Sequence, residues 1–201
     1  MDLREKKTLR SIRAAFLDLR TRLPLERISV KELAQRAEIS KATFYLHYRD
    51  IYDLSTQLQK EVIRSVLASI DRPELLIEDH SQFVNQLFDA FSAQQDLIDI
   101  LFSGNQASVL PISIEGALRE LIMRLLPQAD HDASLHILLT YQIQGAYYAY
   151  QQHRRTYGDR QVRDIISQIS LNVATESGLL SSSVPDSKKN HFTAGEKSVI
   201  I

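Results

Sequence analysis

The stretch Ile28-Ser29-Val30-Lys31-Glu32-Leu33-Ala34-Gln35-Arg36-Ala37-Glu38-Ile39-Ser40-Lys41-Ala42-Thr43-Phe44-Tyr45-Leu46-His47-Tyr48 reads as two short helices meeting at a tight corner. Ser29, with Glu32 three positions on, has the form of a capping box, and Ile28 and Leu33 straddle that cap as a hydrophobic staple. Ser40 repeats the device, with Ile39 and Phe44 as its staple, so only about three residues separate one helix from the next. Leu33, Ala34, Ala37, Ile39 and Phe44 fall on inward positions, and the small Ala34 and Ala37 let two backbones approach closely. Lys41, Ala42, Thr43 and Tyr45 remain outside, on the first turns of the second helix.

Upstream, Leu9, Ile12, Phe16 and Leu19 recur at spacings of three and four, which predicts a helix over residues 4–22 that Pro24 ends. Downstream, Asp50 before Ile51, with Asp53 following, starts a helix running to about Ile70, where Asp71-Arg72-Pro73 closes it. Residues 81–102, 108–126, 131–155 and 159–177 carry the same helical spacing, with breaks at Gly104-Asn105, Pro127 and Tyr157-Gly158. No segment alternates like a strand. The expectation is an all-α fold. Residues 1–50 form an N-terminal three-helix domain, and a long fourth helix joins it to a C-terminal helical bundle over 51–180. Residues 181–201, rich in Ser, Lys, Asp and Gly, are expected to be a disordered tail.

Composition narrows the function. Of 201 residues 44% are apolar and 24% charged, and no apolar run approaches the ~20 residues a bilayer span needs, so a soluble, cytoplasmic protein without a secretory signal is expected. Cysteine is absent, which removes disulfides and thiolate metal sites. The net charge of −1 hides a division: residues 1–60 hold 13 Lys/Arg against 8 Asp/Glu, and residues 61–201 hold 11 against 17. A basic N-terminal segment suits a polyanionic partner, although a merely solvated basic face would look the same.

The chemistry of the outer face of 28–47 fits double-stranded DNA. Lys41 can donate to guanine O6 and N7, and the methyl groups of Ala42 and Thr43 can meet thymine methyls, so these three are the expected base readers. Ser29, Lys31, Ser40, Tyr45 and His47 are donors near the helix ends, suited to holding phosphates. The competing reading is a surface helix pair in an unrelated bundle. Across Ser29 to Leu54 the chain resembles the TetR/AcrR family of one-component transcriptional regulators, through Leu33-Ala34, Ala37, Ile39-Ser40, Thr43-Phe44-Tyr45, His47-Tyr48, Asp50 and Leu54. That resemblance implies a helix-turn-helix over about 28–47, a C-terminal part that dimerises and holds a ligand cavity, and repression at a near-palindromic operator. Three residues depart from the family pattern. Glu38 stands at a usual glycine of the turn, where a positive φ would strain it, Ala42 replaces another glycine, and Ile51 replaces a frequent lysine.

In the helix over 131–155, Leu135, Leu139, Gln142, Ala146 and Ala149 share one face and Tyr141, Gln144, Tyr148 and Gln151 another. The first is expected to pack against a symmetry mate and against the helix bearing Val162, Ile165, Ile166 and Ile169, and Tyr141, Gln144 and Tyr148 to line a polar ligand cavity. Histidines 80, 131, 136, 153 and 191 show no metal-binding spacing and no glycine-rich phosphate loop occurs, so no metal, cofactor or catalytic residue is expected. The partners expected are therefore operator DNA, a second copy of the chain and a small effector. Alternatively, the C-terminal part docks a partner protein in place of a small ligand.

Overall fold

The structure is a computed structural model that describes residues 3–127 and 132–176. The expected tail over 181–201, together with His131 and His191, lies outside the described residues. Among these the fold is all-α: α1 Leu3–Arg20, α2 Val30–Arg36, α3 Lys41–Tyr45, α4 Ile51–Ala68, α5 Leu75–Glu78, α6 His80–Ala93, α7 Gln95–Leu101, α8 Val109–Leu125, α9 Ala133–Tyr157 and α10 Asp159–Glu176. Single 3₁₀ turns lie at Leu25–Arg27 and Gly104–Gln106. Among the described residues no single helix is long and apolar enough to cross a membrane.

Local chemistry sets the helix starts. Ser29 Oγ accepts from Glu32 N at 3.2 Å, Ser40 Oγ from Thr43 N at 3.0 Å, and Asp50 Oδ1 from Asp53 N at 2.8 Å. Each cap satisfies one of the N–H groups that a helix start leaves without an intrahelical partner. The Asp53 carboxylate returns the favour by accepting from Arg49 N at 2.9 Å. Gly158, at φ 87, ends α9 and turns the chain into α10. Pro111 sits in the first turn of α8, where its missing N–H removes no helical bond.

One buried cluster runs without interruption from Ile12, Phe16 and Leu19 of α1, through Leu33 and Phe44, along Leu54, Leu58, Val62, Ile63 and Val66 of α4, to Ile114, Leu118 and Leu121 of α8. The expected boundary at residue 50 is thus a change of partners along a shared helix, with no gap in the core. α4 lies against α6, α7 and α8, while α9 packs between α8 and α10.

Two sequence expectations change. The single helix expected over 81–102 is two, broken at Gln94 (φ −111, ψ 13). No glycine or proline marks that point. Both α6 and α7 pack on α4, but α6 also packs on α10 and α7 on α1, so diverging second partners make the break. The face of α9 expected to meet a symmetry mate is internal. Leu135 and Leu139 are buried with Ile122 of α8, and Gln142 Nε2 donates to Ser170 O of α10 at 3.2 Å. Packing between α8 and α10 sets the rotation of α9.

Candidate functional site

α2 and α3 meet across the four residues Ala37–Ser40, and the corner turns on Glu38, whose φ of 56° lies in the left-handed region. It is the one positive-φ residue other than glycine among the described residues, as its place at a glycine position of the turn leads one to expect. Ile39 N donates to Ala34 O at 3.0 Å and closes the corner. Beneath it Leu33 and Phe44 are fully buried, with the Phe44 ring 5.6 Å from Tyr48. The exposed Arg36–Asp18 and Arg13–Glu61 ion pairs tie α2 and α4 to α1. Pairs so open to solvent hold geometry more than they stabilise.

On this frame Ser29, Lys31, Ser40, Lys41, Ala42 and Tyr45 are all exposed, Tyr45 to 56%. Thr43 and His47 are half-buried. Thr43 Oγ1 lies 2.9 Å from Ser40 Oγ, so its hydroxyl is occupied in the cap and its methyl is what it has to offer. The sequence reading missed two exposed neighbours. Leu46, 81% exposed at the end of α3, is an apolar side chain spent on solvent, and the Arg49 side chain, 88% exposed, adds a cation below Tyr45. The Arg49 guanidinium lies 3.7 Å from Asp53, whose backbone and Gln57 hydrogen bonds hold its carboxyl below the usual range.

The C-terminal helices enclose a cavity of about 550 Å³. Its wall is largely apolar, with rings from Phe83, Phe88, Phe91, Phe102, Tyr147 and Tyr150, and its polar members include His80, Gln142 and Arg154. Tyr141, Gln144 and Tyr148, expected to line such a cavity, do not. Tyr141 and Tyr148 are 72% and 54% exposed, and Gln144 Nε2 donates to Glu115 of α8 at 3.3 Å. The residues of α9 that do face the cavity include Gln142, Ile143, Ala146, Tyr147 and Tyr150, one helical step round from the expected set. Tyr141 and Tyr148 instead join Ile137, and Ile165 and Ile169 of α10, as large apolar side chains left outside.

The wall also touches the N-terminal helices. Phe102, Ser103 and Gly104 border the cavity, and Arg20 of α1, only 5% exposed, donates to Ser103 Oγ at 2.6 Å and to Leu23 O at 2.8 Å. Burial disfavours the Arg20 charge and Glu26 favours it. From α4, the buried Gln59 Nε2 donates to Leu101 O at 3.0 Å. Asn105 Nδ2 donates to Glu26 at 3.3 Å. The segment 101–106 is thus hydrogen-bonded to both α1 and α4.

Among the described residues no group of three His, Asp or Glu side chains converges as metal ligands would. The chain matches no known family profile, no curated protein and no solved structure.

Proposed function

We propose that the protein is a TetR/AcrR-like transcriptional regulator, in which α2 and α3 form the helix-turn-helix and α3 enters the major groove of operator DNA. The observation that carries this reading is the doubly serine-capped pair meeting at Glu38, with Lys41, Ala42 and Tyr45 exposed together beside the further cation of Arg49. Lys41, Ala42 and the Thr43 methyl read bases, while Ser29, Lys31, Ser40, Tyr45 and His47 hold phosphates. The surplus of basic over acidic residues in positions 1–60 favours the same partner.

The regulator acts in the cytoplasm as a homodimeric repressor, pairing two copies through the outer face of α9 and α10, where Ile137, Tyr141, Tyr148, Ile165 and Ile169 are exposed. The two reading helices then meet half-sites about 34–36 Å apart, or a multiple of that. The cavity takes a small effector, and the Arg20–Ser103 and Gln59–Leu101 hydrogen bonds carry its state to α1 and α4. It performs no catalysis. A C-terminal half that docks a partner protein would draw on the same exposed side chains and on Ile112, but would leave the cavity without a purpose.

Selection of bound sequences from random DNA, followed by affinity measurement on the recovered site, tests the reading. Lys41→Ala and Tyr45→Ala should each weaken binding by about tenfold or more, with helicity and oligomeric state unchanged. Unchanged affinity in both variants, or no selected sequence, overturns it.

A further inference from the structure

We propose that the cavity binds an elongated amphipathic acid: a carboxylate at Arg154, an unbranched apolar body, and at the far end a hydroxyl that donates to His80 Nε2. The inference rests on the effector-domain reading above and names the class of molecule.

Shape comes first. The wall takes in α9 from Leu139 to Arg155, a run of about 24 Å at the α-helical rise, so the hollow is lined along several turns of one helix. A wall of that length, round a volume of about 550 Å³, has room for an extended apolar chain. The rings of Phe83, Phe91 and Tyr147 give such a chain apolar faces.

The lining atoms left without a partner, His80 Nε2 and Arg154 Nε, belong to two ends of the wall. At one, α6 meets α10 through Ser81 and Ser167 hydroxyls 2.9 Å apart, and Gln142 Nε2 is already committed to Ser170 O. His80 lines the wall there. Its Nδ1 lies 3.3 Å from Leu76 O, an atom that can only accept, so Nδ1 carries the proton and Nε2 presents a lone pair. That Nε2 is buried with no partner. Burial outweighs Asp79 and holds the ring neutral, so the ligand must bring the donor.

At the other end the sign is reversed. The Arg154 guanidinium lies 5.3 Å from the centre of the Tyr150 ring, with Nε buried and unpartnered. Arg155 borders the same end, exposed. The carboxylate of Asp99 also borders the cavity there, but it is exposed and accepts from Gln95 Nε2 at 2.7 Å. The cation at this end thus keeps a buried Nε without a partner, and an anion is what can satisfy it.

Displacement of cis-parinarate, a fluorescent straight-chain acid, from the full-length protein tests the assignment. Palmitate and ω-hydroxypalmitate should displace it, palmitamide and hexadecylamine about tenfold less well or worse. The hydroxy acid should bind tighter than palmitate, an advantage that His80→Phe removes. Arg154→Gln should weaken both acids about tenfold and leave the amide unchanged, with Arg154→Lys between. Should a variant fail to fold, the ligand series on the unaltered protein decides alone. Equal binding of acid, amide and amine, no binding of cis-parinarate, or an equal loss for acid and amide in Arg154→Gln overturns the proposal. Operator binding by the same preparation separates the two readings. Acid selectivity without DNA binding defeats only the regulator, and DNA binding without acid selectivity defeats only the ligand class.

Discussion

The rings of Phe16 in α1 and Phe44 in α3 are fully buried in the core, whereas the rings of Phe88, Phe91 and Tyr147 border open space. The two halves of the chain use similar residues to different ends. In the N-terminal half, short helices are pinned by caps, a left-handed corner and a packed core, which holds an outer surface in one shape. In the C-terminal half, α6, α8, α9 and α10 leave a hollow, and His80 Nε2 and Arg154 Nε of its wall lie buried without a partner. A rigid surface suits reading a fixed partner, and a hollow suits admitting a variable one.

Truncation should separate the halves most sharply. Phe44→Ala opens a void in a filled core and should cost about 3–5 kcal/mol, while Phe91→Ala only enlarges a cavity and should cost about 1–2 kcal/mol. Chemical denaturation of both variants measures the gap, and equal losses would break the comparison. Enlargement should act in the opposite sense. Ala34→Leu, at a site 3% exposed between packed helices, should destabilise by about 1–3 kcal/mol. Ala146→Leu, projecting into the cavity, should stay within about 0.5 kcal/mol of the parent and abolish displacement of a bound acid.

Smaller effects sharpen the contrast. Glu38→Gly relieves a left-handed φ at an exposed position and should stabilise by about 1 kcal/mol, read as a rise of about 2–4 °C in Tm. A Tm unchanged or lowered would show that the corner is not strained. The least effect is expected from His80 and depends on pH. Its folded pKa is depressed by burial, so the unfolded chain binds the proton more readily. The contribution of the neutral ring is complete above the unfolded value of about 6.5 and is lost as pH falls through the lower folded value. Stability measured from pH 7.5 to 5 should fall more steeply in the parent than in His80→Phe, and parallel profiles would remove His80 from the account.

Much of the N-terminal half was legible in the sequence because its determinants are local. Ser29, Ser40 and Asp50 each cap through an amide three residues on, a relation any reader of the chain can see. Glu38 could be flagged only through the family resemblance, which puts a glycine at that place in the turn. Elsewhere local signals ran out. The apolar spacing of 81–102 continues across Gln94 without a breaker, and the four residues of α5 are too short to show a period.

By itself, then, the sequence determined that the chain is helical, where most helices begin, and which side chains stand outside the α2–α3 corner. All of these depend on bonds or periodicities spanning three or four residues. The tertiary structure alone decided the break at Gln94, the direction each face of α9 takes, and the cavity with its polar ends. A helix carries several faces, and only its packing against α8 and α10 settles that Gln142 and Ala146 look inward while Tyr141 and Tyr148 look out. Empty space leaves no mark in a sequence, because it is made by residues far apart in the chain that stop short of one another.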